Sequence, residues 1–253
     1  MMNSPLIILQ ARTGSTRLPN KMILDFYEGK TILEIITENL KNKFNPSKIV
    51  IATTKKQEDD QIMKIALKLN INCFRGDENN VLKRFIDCAE TFKANKIIRI
   101  CSDNPFINNK YIKVLSDYIM RNEYEYISYK WDNGNPVMLS HIGIFAESMT
   151  LDFLKKISNF TNKPIFEEHV TNFLYENRNL FNFKFLNIPS YLIGKQNIRL
   201  TVDTKEDFNI TKELYKKIML RSTFFETSDL LKLIDETPSI IKKMQIQIKK
   251  NAK

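Results

Sequence analysis

The sequence predicts an α/β fold built on a doubly wound, parallel sheet, and two observations predict it. Short runs rich in β-branched residues at Pro5–Leu9, Lys48–Ala52 and Lys96–Ile100 have the length and composition of strands buried on both faces. Each is followed by a stretch whose apolar residues recur at helical spacing, so strands and helices alternate from the start of the chain. These three runs are expected at the centre of the sheet.

Helices are expected at Ile32–Lys41, at Asp59–Leu69, where Ile62, Ile65, Ala66 and Leu69 form one stripe, and at Val81–Phe92. A fourth, Asn109–Arg121, follows the turn at Pro105–Asn108. From Tyr124 to Leu200 the rhythm loosens. Short strands are expected there at Tyr126–Tyr129, His141–Phe145 and Phe183–Leu186 around a helix at Glu167–Glu176, the pattern of an inserted substrate-side region. The tail is expected to hold two amphipathic helices, Lys205–Met219 and Ser228–Ile234, before a break at Pro238. No repeat or low-complexity linker divides the chain, so residues 1–253 are expected to form a single domain with 124–200 as an insertion within it.

Composition narrows the function. With 43% hydrophobic and 27% charged residues over 253 positions, the chain is neither disordered nor fibrous. A net charge of +10 and a pI near 9.3 point to a polyanionic partner. No basic segment interleaved with aromatics is present, so that partner is not expected to be a nucleic acid. The stretch from Lys242 onward has five lysines and no acid and is expected to be a solvated end. Cys73, Cys88 and Cys101 each lie within an apolar run, as reduced core thiols do, which suits the cytoplasm. Two histidines and no close Cys/His spacing argue against zinc. Met1–Leu9 has no basic leader and no apolar stretch approaches 18 residues, so neither export nor a membrane partner is expected.

The chemistry begins where the first strand ends, at Gln10-Ala11-Arg12-Thr13-Gly14-Ser15-Thr16-Arg17-Leu18-Pro19-Asn20-Lys21. A strand opening into a Gly-Ser-Thr turn brings backbone N–H groups toward one point, and two arginines and a lysine accompany them: a triphosphate cradle, or else a basic surface loop. The spacing is neither that of a P-loop nor that of a dinucleotide fingerprint. Asp103 follows a central strand, where α/β folds bind ligands, and Asp203 follows the short apolar run Leu200–Val202. Read alone, Asp103 also fits the start of a turn and Asp203 a helix cap.

The loop resembles the nucleotide-binding loop of nucleotidyltransferases with a GT-A-like fold, and most closely that of the spore coat polysaccharide synthesis family F. These are relatives of the acylneuraminate and deoxy-octulosonate cytidylyltransferases, whose loop reads Gln-Ala-Arg-x-Gly-Ser-Thr-Arg-Leu-Pro-x-Lys. The resemblance continues through Ala52-Thr53-Thr54, Glu58-Asp59-Asp60, Phe74-Arg75-Gly76, Val81-Leu82-x-Arg84-Phe85, Arg99-Ile100-Cys101-Ser102-Asp103-Asn104-Pro105, Glu168-His169-Val170-Thr171 and Arg199-Leu200-Thr201-Val202-Asp203-Thr204. It implies a Rossmann-like, mixed, mostly parallel sheet flanked by helices. It also implies transfer of CMP from CTP to an acceptor for surface-glycan biosynthesis, with release of pyrophosphate. Crowded negative charge at the α-phosphate calls for cations and a divalent ion. The resemblance makes Asp103 and Asp203 ligands of Mg²⁺ or Mn²⁺ and assigns catalysis to Arg12, Lys21 and Asp103. Nucleotide binding would fall to Gln10, Ala11, Arg12, Gly14, Ser15, Arg17, Lys21, Thr53, Thr54, Arg75, Gly76 and Ser102. The acceptor would meet His141, Glu168, His169 and Arg199, and relatives often dimerise through the inserted region.

One departure bears on the acceptor. Where relatives show two acids in an alternating segment, this chain has Leu139-Ser140-His141-Ile142-Gly143-Ile144-Phe145, so an acidic or phosphorylated acceptor is expected. Trp131, Tyr129 and Tyr126 are expected to pack over the sheet rather than stack on a ligand. Two other readings share the fold: a glycosyltransferase, which usually shows an Asp-x-Asp that Asp103-Asn104-Pro105 lacks, and a non-catalytic nucleotide-binding module, which would have lost Lys21 or a metal acid.

Overall fold

The computed structural model describes residues 4–251; the first three residues of the N-terminal stretch and Lys253 of the basic tail lie outside them. One seven-stranded sheet runs through the molecule. In chain order its strands are β1 (Leu6–Gln10), β4 (Ile49–Thr54), β5 (Asn72–Gly76), β6 (Lys96–Cys101), β7 (Tyr126–Lys130), β8 (Glu147–Thr150) and β9 (Phe183–Asn187); β2 (Asp25–Tyr27) and β3 (Lys30–Thr31) form a separate hairpin. The spatial order is β5-β4-β1-β6-β8-β7-β9. The first four strands are mutually parallel, β8 is antiparallel to both its neighbours, and β9 is parallel to β7. The sheet is thus mixed and mostly parallel, and the 124–200 region supplies three of its strands.

Alternation along β1 builds two cores. Ile7 and Leu9 face one side, covered by α1 (Ile32–Lys41), α2 (Asp60–Lys68), α4 (Asn109–Arg121), α8 (Lys205–Arg221), α9 (Thr227–Asp235) and α10 (Pro238–Lys250). Leu6 and Ile8 face the other, covered by α3 (Val81–Thr91), α5 (Leu151–Phe160), α6 (Pro164–Glu168) and α7 (Asn172–Glu176). Local signals set the helix limits. Thr31 and Glu34 form a reciprocal cap at the start of α1, and the Asn80 side chain accepts from Lys83 N to open α3.

Three expectations fail for identifiable reasons. His141–Phe145 is not a strand: Gly143 sits at φ +63°, and the backbone is bonded to Leu200 and Asn108 rather than to a neighbouring strand. A Cβ on Gly143 would lie 3.0 Å from the Leu200 carbonyl carbon, so the two segments pass too closely for any other residue. The segment is apolar because it is buried, and the neighbouring strand is β8. The helix placed at Glu167–Glu176 is two short ones, α6 and α7, interrupted at His169, whose backbone (φ −102°, ψ 75°) ends α6 while Val170 turns into the core. Pro238 starts α10 instead of breaking the chain, since proline at the first helical position loses no hydrogen bond. The basic tail is therefore the exposed face of a helix whose Ile240 and Met244 are buried. Strand β5 and the hairpin were not anticipated. Trp131, Tyr129 and Tyr126 are buried, and Tyr126 packs against Phe153.

Candidate active site

After β1 the chain proceeds outward to β4 and β5, then returns to lay β6 on the other side of β1, so a crevice opens at the carboxyl ends of β1 and β6. Two loops fill it. Both begin in ladder-like bonds, Ala11 N to Ala52 O at 3.1 Å and Ser102 N to Gln10 O at 3.2 Å. A cavity of about 530 Å³ lies above them.

At one end two carboxylates meet two cations. The Lys21 ammonium donates to Asp103 at 3.3 Å and to the Val202 carbonyl at 2.6 Å, and lies 3.9 Å from Asp203. Arg17 pairs with Asp203 at 2.9 Å. The cap of α8 is Thr204, not Asp203. Asp203 and Asp103 are drawn together because Val202 N donates to the Asp103 carbonyl at 2.8 Å.

Asp203 is held from behind. Arg199, 2% exposed, donates through Nε and Nη2 to the two oxygens of Asp207, through Nη2 to Asp203 at 3.0 Å, and meets His141 Nδ1 at 2.5 Å. Guanidinium only donates, so Nδ1 is the acceptor and the imidazole proton is on Nε2. His141 thus stands in the cavity wall as a neutral ring, not a cation.

The loop after β1 has its own anchor. Asp59, 2% exposed, accepts from Thr13 N and Thr13 Oγ1 at 2.7 Å each and from the Thr54 hydroxyl, tying the loop to the end of β4. Burial pushes the Asp59 carboxyl up, but the bonds from Thr54 and Thr13 outweigh it and hold it below the ordinary 3.8. For Asp207 burial likewise pushes up, while Arg199 brings the carboxyl below 3.8. Both depressed values give stability that is present above about pH 4 and is lost as pH falls through the folded-state values. Urea unfolding between pH 6 and 3 is expected to show this acid limb. Asp59→Asn should flatten it.

At the cavity's far end Arg12 pairs with Glu168 of α6 at 3.0 Å. Its floor is Arg99, paired across the sheet with the fully buried Glu147, which also accepts from Tyr126 at 2.5 Å; Tyr126 in turn meets Tyr175 at 2.9 Å.

Of the residues expected from sequence, the structure gathers Gln10, Arg12, Arg17, Asp103, Asp203, His141, Glu168 and His169 around this cavity, with Lys21 bonded to its carboxylates. The others do not line it. Ala11, Thr53, Thr54 and Ser102 are buried. Gly14 and Ser15 shape the loop, with Ser15 N donating to Thr13 O at 2.8 Å. Arg75 is spent on Thr54 O, Lys56 O and Asp60. At Gly76 a Cβ would come within 2.8 Å of Arg84, whose buried guanidinium donates to Asp77 O and is pushed down to about 10 by burial and the nearby Arg12. Arg199 is buried behind Asp203 and His141 and bonded to both. Sequence reasoning missed Arg99, Tyr175 and Asn251, which line the cavity, and Asp59, whose place in a matched motif was the one available signal.

A basic loop and a carboxylate pair at the switch point of a mixed α/β sheet define a nucleotide-binding α/β protein of the nucleotidyltransferase type. The family model described as cytidylyltransferase matches residues 6–233, and the chain belongs to that family. It is 36% identical over 233 residues to an uncharacterised protein of Methanocaldococcus jannaschii, covering 92% of this chain and 91% of that protein. It is 32% identical over 244 residues to the spore coat polysaccharide biosynthesis protein SpsF of Bacillus subtilis, covering 94% and 96%. A solved cytidylyltransferase from Leptospira borgpetersenii superposes with a TM-score of 0.82 at 32% identity, over 93% of this chain and 95% of that one. The protein is a nucleotidyltransferase.

Among the described residues no helix is long and apolar enough to cross a membrane. No group of three or more His, Cys, Asp or Glu placed to hold a metal ion occurs among them either. One lysine nitrogen within 4 Å of both carboxylates shows that Asp103 and Asp203 converge on a single point. Two carboxylates, with the remaining positions left to water and phosphate oxygens, suit Mg²⁺ or Mn²⁺, so the residues fit the expected ion.

Proposed function

We propose that the protein transfers CMP from CTP to a small acidic or phosphorylated, sugar-like acceptor, releasing pyrophosphate, in the cytoplasmic synthesis of a surface-glycan precursor. The observation carrying this reading is the convergence of Arg17 and Lys21 with Asp103 and Asp203 in a cavity that Arg12 also lines, in a chain of the cytidylyltransferase family. The triphosphate lies along the β1 loop, with Arg12 and Arg17 on its oxygens and Gln10 at the strand end. Asp103 and Asp203 would hold Mg²⁺ or Mn²⁺, which when bound would supply neutralisation of phosphate charge. Lys21 is aimed at the α-phosphate by its bonds to Asp103 and Val202 O. The acceptor oxygen bonds to the α-phosphorus as the link to the bridging oxygen breaks, and Lys21 offsets the charge that develops.

The acceptor enters between the β6 end and α6, over Arg99 and beside His141, His169 and Tyr175. The neutral His141 offers it a hydrogen bond through Nε2, and Arg99, its charge shared with Glu147, offers the guanidinium nitrogen not on that carboxylate. That favours an anion less strongly than a charged histidine would. The single-domain reading and pairing of two copies through 124–200 belong to the same proposal.

A pyrophosphate-release screen crossing four nucleoside triphosphates with sugar acids, sugar phosphates and neutral sugars tests it. Release is expected with CTP and an anionic acceptor and to depend on Mg²⁺ or Mn²⁺. Equal release with neutral sugars overturns the acceptor class. Tight triphosphate binding without any release would instead favour a binding module.

A further inference from the structure

We propose that Asn251, just beyond α10, is a positioning residue for this reaction, holding Arg17 in the orientation in which it meets the triphosphate. The family model ends at residue 233, so α10 lies beyond the matched part of the chain. The helix nevertheless reaches the site. Ile240 and Met244, each 1% exposed, seat it in the core shared with α8 and α9. One turn before its end, the buried Gln247 accepts from Thr204 Oγ1 at 3.4 Å, next to Asp203.

Asn251 follows directly and is fixed from two sides. Its backbone N–H donates to the Gln247 carbonyl at 3.0 Å, and its side-chain Nδ2 donates to the same carbonyl at 3.0 Å and to Gln247 Oε1 at 3.3 Å. With the amide nitrogen committed, Oδ1 is turned into the cavity and accepts from Arg17 Nη1 at 3.5 Å. The other nitrogen of that guanidinium, Nη2, is the one on Asp203.

Arg17 is half exposed and reaches across the site, so its many rotamers must be narrowed before it can serve a ligand. An amide suits the task. It accepts one N–H and leaves the guanidinium's charge unneutralised, so when a triphosphate replaces Asp203 as partner of Nη2, Asn251 keeps Nη1. A carboxylate in its place would compete with the triphosphate for the same cation.

The inference rests on the triphosphate reading, and the test separates the two. Asn251→Ala, Asn251→Asp and a chain ending at Lys250 are compared with the unaltered protein, each with and without Arg17→Ala. CTP affinity is measured by calorimetry as well as by KM, so a protein that binds without turnover still reports on Asn251. Asn251→Ala and the shortened chain are expected to weaken CTP about three- to tenfold, leaving kcat within about twofold and the unfolding midpoint unchanged. Asn251→Asp should weaken it further. In the Arg17→Ala background Asn251→Ala and the shortened chain should have no added effect. Unaltered affinity, equal losses in both backgrounds, or a fall in unfolding midpoint that accounts for the loss would each overturn the positioning role. Failure of the triphosphate reading would look different: no binding of CTP or any other triphosphate by the unaltered protein.

Discussion

Lys21→Met is expected to lower kcat by about 10²- to 10³-fold while the fold remains intact. Methionine keeps the packed stem and removes the ammonium that sits between Asp103, Asp203 and the Val202 carbonyl. The position of that ammonium is set by two acceptors from two different loops, Asp103 and the Val202 carbonyl, with the Asp203 carboxylate 3.9 Å away, so Arg17 at the rim does not replace it. Arg17, half exposed and at the rim, is expected to act mainly on KM. A steady-state comparison of Lys21→Met with Arg17→Ala, alongside circular dichroism of both, checks the split. Equal effects of the two on KM alone would place Lys21 with the binding residues.

Arg199→Ala is expected to cost about 3–5 kcal/mol of stability. The substitution strands Asp207, which is 2% exposed and receives both of its charge-assisted bonds to side chains from Arg199. Burial opposes the charge on the guanidinium, but Asp207 and Asp203 raise its proton affinity above that of ordinary arginine, so the pair stays ionised in the folded protein. Arg199→Lys would keep a charge but lose the fork that spans both oxygens. Urea unfolding at neutral pH measures the loss. Activity should fall as well, because Asp203 and His141 both lean on the same guanidinium.

What the sequence made legible follows the range of the interaction. The limits of α1 and α4 could be read from neighbouring residues alone, because caps and apolar stripes are local. The central strands β1, β4 and β6 were visible as continuous apolar runs because both their faces are covered. Strand β5 was not, since it is an edge strand with Asn72 and Arg75 in its pattern, and its pairing with β4 is invisible without the fold. The misplaced strand at His141–Phe145 shows the converse: burial by a crossing segment produces the same apolar run as burial in a sheet.

The site divides in the same way. The basic loop and the two aspartates could be found because each ends a strand, whereas Asp59, Arg99, Arg199 and Asn251 take their meaning from partners that the fold brings in. Asp59 works on Thr13 at a separation of 46 residues, and Arg17 meets Asn251 across 234. The motif places Arg199 at the acceptor, and the structure sets it 2% exposed behind Asp203 and His141, a position that neighbouring residues in the sequence do not reveal.

Asp207 also stands at the third position of α8, where its carboxylate accepts from the backbone N–H of Thr204 at 2.9 Å and of Asp203 at 3.1 Å. One side chain therefore closes the first turn of a 17-residue helix and anchors the arginine behind the site. Fraying of that turn is expected to release Asp203, His141 and Thr204 together, with the start of α8 and the site wall behind the carboxylates opening as one cooperative unit. Amide hydrogen exchange should report this directly: Asp203, Thr204 and Phe208 are expected to exchange with a common opening free energy, and conditions that loosen the helix start should silence the enzyme well before the molecule unfolds.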